Sequence, residues 1–148
     1  MNPFDITTAP LDAGVTLIEA SAGTGKTYSI TGLILRLILE KNLQIRGILA
    51  VTFTEAATQE LRSRIRQRLQ SALEDLYHGV SKDAIVDAFL RRGDKAIGIR
   101  ELDLAIQSFD EAQIFTIHGF CQRMLNDYAL ESGARFDTTL VTDPKPLF

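Results

Sequence analysis

Val15-Thr-Leu-Ile-Glu-Ala-Ser-Ala-Gly-Thr-Gly-Lys-Thr27 joins a short apolar run to a glycine-rich turn. Val15 to Ile18 has the β-branched, apolar character and the length of a buried strand. Gly23 and Gly25 permit backbone angles that other residues resist, and Thr27 opens an amphipathic segment with helical spacing. A strand, a glycine loop and a helix in that order form a cradle for phosphate. The loop N–H groups and the positive end of the helix surround the anion, Lys26 reaches its outer phosphates, and the Thr27 hydroxyl coordinates Mg²⁺. The strict pattern asks for glycine where Ala20 stands. A plain glycine turn with an exposed lysine is the competing reading.

The rest of the composition bounds what such a cradle could serve. With 148 residues, 45% of them hydrophobic, the chain has the apolar content of one ordinary domain. A formal charge of −3 carries no global nucleic-acid signature, so DNA binding has to rest on local residues. The single Cys121 excludes an intrachain disulfide and a cysteine zinc pair, which fits a reducing, cytoplasmic setting. Met1 to Pro10 lacks the basic flank and apolar core of a secretory signal. The longest apolar stretch, Leu33 to Leu39, is interrupted by Arg36 and is too short for a bilayer, so no membrane partner is expected.

Downstream of the loop, Ile30, Leu33, Ile34, Leu37 and Ile38 predict a helix from Thr27 to Lys41, with Arg36 and Glu40 on its other side. Asn42 to Arg46 is a polar connection. Ile48 to Val51, followed by Thr52 and Phe53, reads as a parallel strand covered on both faces. The longest helix runs from Glu55 to about Tyr77 on Leu61, Ile65, Leu69, Leu73 and Leu76, with Thr52 or Thr54 as its cap and Gly79 as its stop. Its arginines, Arg62, Arg64, Arg66 and Arg68, read as a solvated face balanced by Glu55, Glu60 and Glu74. Lys82 to Arg92 and Arg100 to Gln107 look like short helices separated by Gly93 and Gly98, a helical element inserted at about 81–108. Gln113 to Thr116 is a third strand, and Ile117, Phe120, Cys121, Met124 and Leu125 continue on helical spacing until Gly133. Phe136 to Phe148 reads as extended and stops without a domain-ending element.

Two strand ends carry the remaining chemistry. Thr52-Phe53-Thr54 and Thr116-Ile-His-Gly-Phe120 both follow apolar strands, which places them at the carboxyl edge of a parallel sheet, where ligands bind. Hydroxyls and amides there suit the phosphates of a single-stranded nucleic acid, and an exposed ring stacks on a base. The bland alternatives are that Phe53 and Phe120 are core residues and that His118 is a structural hydrogen-bonder. The acidic pair Asp110-Glu111 is rejected as a Mg²⁺-holding site, because the apolar run Ile114-Phe115 follows it instead of preceding it. It reads as a solvated helix-to-strand turn.

With these segments laid out, the chain resembles superfamily 1 DNA helicases of the Rep/UvrD type, and within them the helicase-nuclease branch of exodeoxyribonuclease V beta subunits. The resemblance is carried by Leu17 to Thr27, by Val51-Thr-Phe-Thr-Glu-Ala-Ala-Thr58 with Glu60-Leu-Arg62 and Arg64-Ile-Arg66, and by Phe115-Thr-Ile-His-Gly-Phe-Cys-Gln-Arg-Met-Leu125. It implies an α/β P-loop NTPase fold of the RecA-like kind, a parallel sheet with flanking helices, of which residues 1–148 are the N-terminal, ATP-binding part of motor domain 1. It further implies that Ala20, Ser21, Ala22, Gly23, Thr24, Gly25, Lys26 and Thr27 bind ATP, with Lys26 on the phosphates and Thr27 on Mg²⁺. Thr52, Phe53 and Thr54 are implied as the first DNA-contacting motif and Thr116, His118 and Gly119 as the second.

The implied partners are single-stranded and duplex-end DNA and the gamma and alpha subunits of an exodeoxyribonuclease V complex. The family's acidic pair is expected beyond Phe148. No counterpart of its adenine-reading glutamine stands among residues 1–14. The whole predicts an ATP-dependent helicase/exonuclease subunit of recombinational repair, of which this stretch alone does not turn over ATP. A small-molecule P-loop kinase and a non-catalytic nucleotide-binding module are the alternatives. The kinase leaves the two threonine-bearing strand ends unexplained.

Overall fold

The spine of the molecule is a 24-residue helix, α2 (Glu55–His78), in the computed structural model, which describes residues 4–19 and 25–128. Leu61, Ile65, Leu69, Ala72 and Leu76 recur every three or four positions and are buried along one stripe of α2. Both of its ends are set by local chemistry. The Thr54 hydroxyl accepts from the Ala57 amide as an N-cap, and Gly79, left-handed at φ 74°, returns its own amide to the carbonyls of Asp75 and Leu76.

Three helices pack on this spine. They are α1 (Lys26–Lys41), α3 (Ala84–Arg92) and α4 (Lys95–Gln107). Leu35 and Ile38 of α1, Ile85 and Val86 of α3, and Leu102 of α4 are fully buried with Ile65, Leu69 and Leu76 in one core. The helices at 84–107 are therefore part of that core. Gly98 lies inside α4 instead of separating two helices, because the Phe89 ring and Leu76 occupy the space that a Cβ would need. Asp83 and Asp94 start α3 and α4 by accepting from the first backbone amides of each.

The sheet has two parallel strands, β1 (Leu49–Thr52) and β2 (Gln113–Thr116), in register Leu49↔Gln113 through Thr52↔Thr116. Ile114 and Ala50 face the helical core. Phe115 faces the other way, where Phe120 and Arg123 of α5 (Ile117–Asp127) lie over it, the ring centroids 6.5 Å apart.

Two expectations about strands are corrected here. Val15 to Ile18 is not a strand: residues 15–19 carry no regular structure, and Val15 and Leu17 are exposed. An apolar run becomes a strand only when a neighbour supplies ladder hydrogen bonds, and among the described residues β1 and β2 pair with each other alone. Nor is β1 covered on both faces. Leu49 and Val51 remain more than 40% exposed, because α2 packs only on the side of Ala50.

Charged positions on two helices also differ from expectation. Arg36 is not on a solvated side of α1. It is 6% exposed, donates through Nη1 to the carbonyls of Ile6 (2.9 Å) and Ala9 (2.6 Å), and pairs with Glu40. It straps the N-terminal segment to α1. The arginines of α2 are only partly a solvated face. Arg64 pairs with Glu60 in solvent, whereas Arg62 reaches the carbonyls of Ala112 and Ile114 at about 3.5 Å, Arg66 lies over the Phe109 ring, and Arg68 bridges to α1 and α3. Long side chains reach neighbouring elements that one helix's periodicity does not reveal. The expected stop at Gly133 and the extended Phe136 to Phe148 lie outside the described residues.

Candidate functional site

The parallel register puts Thr52 opposite Thr116, so both chains leave the sheet at its carboxyl edge and each turns at once into a helix. Thr54 caps α2 and Thr116 caps α5, the latter accepting from the Gly119 amide at 3.0 Å. The edge therefore carries two helix N-termini, both with positive partial charge and backbone N–H groups directed outward. The Thr52 hydroxyl is held by the Thr58 hydroxyl (2.6 Å) and donates to the Thr54 carbonyl. A capping hydroxyl accepts through its oxygen and keeps its own proton to donate. Thr54, which is exposed, can thus serve as a cap and still face an anion, whereas Thr116 is buried at 7% exposure.

Phe53 stands at this edge 85% exposed, which removes the reading of it as a core residue. His118 is exposed in the first turn of α5, and Gly119 is half-buried behind it. Phe120 belongs instead to the packing over Phe115. Of the aromatic residues near the edge, Phe53 is the one available to stack.

The second group of expected residues begins at Gly25. It is the N-cap of α1, left-handed at φ 88°, ψ 22°, a conformation that glycine adopts without strain. Gly25 brings no capping side chain and the first turn of α1 has no acidic residue, so among the described residues no carboxylate of that turn competes with an anion for its leading amides. Lys26 is exposed and Thr27 half-buried. Ala20, Ser21, Ala22, Gly23 and Thr24 lie outside the described residues. The end of the cradle that is described fits a phosphate group. Thr27 and Tyr28 also border a cleft of about 340 Å³ with Arg64, Gln67, Arg68, Ser71 and Asp83 on its walls.

Asp110 and Glu111 form a 3-10 turn before β2, at the opposite end of that strand from Thr116, with Glu111 4.0 Å from Arg46. Among the described residues, no group of three His, Cys, Asp or Glu could hold a metal ion. No helix among the described residues is long and apolar enough to cross a membrane.

The UvrD/REP helicase N-terminal domain matches residues 1–145, a span that includes the glycine loop and both threonine-bearing strand ends. The chain belongs to the UvrD/REP helicase family. Its relatives include the RecBCD enzyme subunit RecB of Haemophilus influenzae, 41% identical over 98% of this chain, and that of Escherichia coli K12, 45% identical over 88%. RecB of Mycolicibacterium smegmatis is 36% identical over 95% of the chain. The chain spans 12 to 13% of the length of these relatives. Membership of the UvrD/REP family implies a P-loop α/β fold. The parallel pair β1–β2, with a helix leaving each carboxyl end, is the α/β part of it described here.

Sequence reasoning did not single out Tyr28 together with Arg68, or Arg36 with Ile6 and Ala9. Each pair joins residues far apart in the chain, and no motif spacing encodes such contacts.

Proposed function

We propose that this chain is the leading, ATP-binding part of motor domain 1 of a DNA helicase subunit of the RecB type. The observation that carries the reading is the register of Thr52 with Thr116, which brings two chain segments into one edge with two helix N-termini and the exposed Phe53 ring. Along that edge Thr52, Phe53 and Thr54, and Thr116, His118 and Gly119, take the backbone and one base of single-stranded DNA. Ala20 to Thr27 wraps the triphosphate, Lys26 neutralises its outer oxygens and the Thr27 hydroxyl contributes to the Mg²⁺ shell. Bound Mg·ATP supplies the free energy for stepping along DNA. The helices at about 81–108 are an insertion in the motor domain.

In this reading the longer protein translocates on single-stranded DNA, unwinds duplex ends in recombinational repair and carries exonuclease activity. It works in the cytoplasm beside gamma and alpha subunits. The names of the relatives, subunits of the RecBCD enzyme, support that assignment. The acid that completes the Mg²⁺ site lies in sequence beyond residue 148, so the chain by itself binds Mg·ATP weakly and does not hydrolyse it.

The test is equilibrium binding and turnover on the full-length subunit and on residues 1–148. The full-length protein is expected to bind an oligonucleotide with affinity that falls as salt rises, and to lose ATP hydrolysis on Lys26→Ala. DNA-stimulated ATPase from residues 1–148 alone overturns the division of labour. Salt-independent or absent DNA binding by the full-length protein overturns the helicase reading in favour of a nucleotide-binding module or a small-molecule kinase.

A further inference from the structure

We infer that Arg68 is a positioning residue for the nucleotide loop: its guanidinium clamps the first turn of α1, the turn bearing Lys26 and Thr27, to α2 and to the start of α3. The inference rests on the reading of Gly25 to Thr27 as the phosphate-gripping turn. It adds to that reading a residue forty positions downstream.

Residues 26–30 are exposed or half-buried, and burial of α1 begins only at Thr31. The turn that would hold phosphate thus stands outside the apolar core, and packing alone does not fix it. Arg68 ties it down. Its Nη1 donates to the Tyr28 carbonyl at 2.9 Å and to the Thr31 hydroxyl at 3.0 Å, while its Nη2 donates to Asp83 Oδ2 at 2.7 Å. The guanidinium carbon lies 4.2 Å from the centroid of the Tyr28 ring, in cation–π range. The Thr31 hydroxyl donates to the same Tyr28 carbonyl at 3.1 Å.

Asp83 is fixed in turn. Its Oδ1 caps α3 by accepting from the amides of Ile85 and Val86. The Arg68 side chain is 12% exposed, and its Nε is buried without a partner. Leaving a buried donor unsatisfied is costly, and the site bears that cost while the guanidinium sits over the Tyr28 ring. The nearby Arg64, by contrast, is more than half exposed and pairs with Glu60 on its own helix.

A planar fork can serve a carbonyl, a hydroxyl, a carboxylate and a ring face together, which a lysine ammonium cannot. Arg68→Lys therefore keeps the charge opposite Asp83 and loosens the first turn of α1. Misplacement of a phosphate-binding turn weakens nucleotide capture.

The experiment compares full-length wild type, Arg68→Lys, Asp83→Asn and, as a control, Arg91→Lys, whose side chain pairs in solvent with Asp87. Asn retains the cap of α3 and removes the charge facing Arg68. Expected for Arg68→Lys is a rise in KM for ATP of roughly three- to tenfold, with kcat at saturating ATP, oligonucleotide affinity and Tm close to wild type. Asp83→Asn moves KM in the same direction, and Arg91→Lys leaves it unchanged. An unchanged KM in both Arg68→Lys and Asp83→Asn overturns the inference. So does a parallel loss of Tm, kcat and DNA affinity, which marks a contact that only stabilises the fold. Failure of the wild type itself to bind ATP overturns the reading of the loop instead, and is told apart by its independence of Arg68.

Discussion

Thr52 and Thr116 face each other across the parallel ladder, and both chains pass directly from that pair into the start of a helix. One residue beyond Thr52 stands Phe53, almost wholly in solvent. A large ring left exposed at a ligand-binding edge contributes little to folding. Phe53→Ala is expected to leave Tm nearly unchanged and to weaken single-stranded oligonucleotide binding by about 1 to 3 kcal/mol. Fluorescence anisotropy of a labelled oligonucleotide on the full-length protein, with a melt of the same preparation, reads both. Unaltered affinity would remove Phe53 from the DNA edge.

Arg36 is the strap between α1 and the N-terminal segment, and its removal strands the carbonyls of Ile6 and Ala9 together with the Glu40 carboxylate. Arg36→Met keeps the stem and deletes the donors. It is expected to destabilise by roughly 1 to 3 kcal/mol, the cost of leaving buried acceptors unpaired. Urea unfolding measures this. A midpoint equal to wild type would mean that water replaces the guanidinium without loss.

Gly98 sets two effects against each other. Alanine at this position, at the end of the first turn of α4, gains up to about 1 kcal/mol of helix propensity over glycine. A Cβ there, however, meets the Phe89 ring at 2.5 Å and Leu76 Cδ1 at 3.0 Å, and the Phe89 ring is penned on its other side by Gly93. Overpacking of this kind costs about 1 to 3 kcal/mol, so Gly98→Ala is expected to lower Tm. Adding Phe89→Leu should recover part of the loss. A rise in Tm from Gly98→Ala alone would show that the ring has somewhere to go.

Asp5 accepts from the Thr7 hydroxyl (2.7 Å) and amide (2.8 Å), and these bonds hold its carboxyl below the usual range. A carboxyl whose pKa is depressed on folding contributes stability that is present above the unfolded value and lost as pH falls through the folded one. Thr7→Val deletes the largest of the causes that lower it, so the Asp5 carboxyl should titrate at higher pH. A ¹³C titration of the carboxyl carbon checks it, and an unmoved midpoint would assign the depression to the Thr7 amide, the Thr8 hydroxyl and the Arg36 charge.

Several elements were legible in the residues alone because their signals are local. The spacing of Leu61, Ile65, Leu69 and Leu76, a threonine before Glu55 and a glycine after His78 define α2 without reference to any neighbour. The apolar run before Thr116 and the helical spacing after it define β2 and α5 in the same way. At the candidate site, Gly25-Lys26-Thr27 and the two threonine-bearing strand ends were visible as motifs. Gly98 misled because a glycine is read as a break, whereas this one makes room for Phe89 within a helix.

What the chain determined by itself is the order and type of its elements and the residue chemistry at their ends, because caps, turns and periodicity act over a few neighbours. Tertiary structure alone decided which faces are covered, that Arg36 and Arg68 are inward clasps and not surface charges, and that Val15 to Ile18 has no ladder partner among the described residues. Those outcomes depend on what lies across space from a side chain. A strand needs a neighbour's hydrogen bonds and a buried charge needs a distant acceptor, and neither is written into the residues beside it.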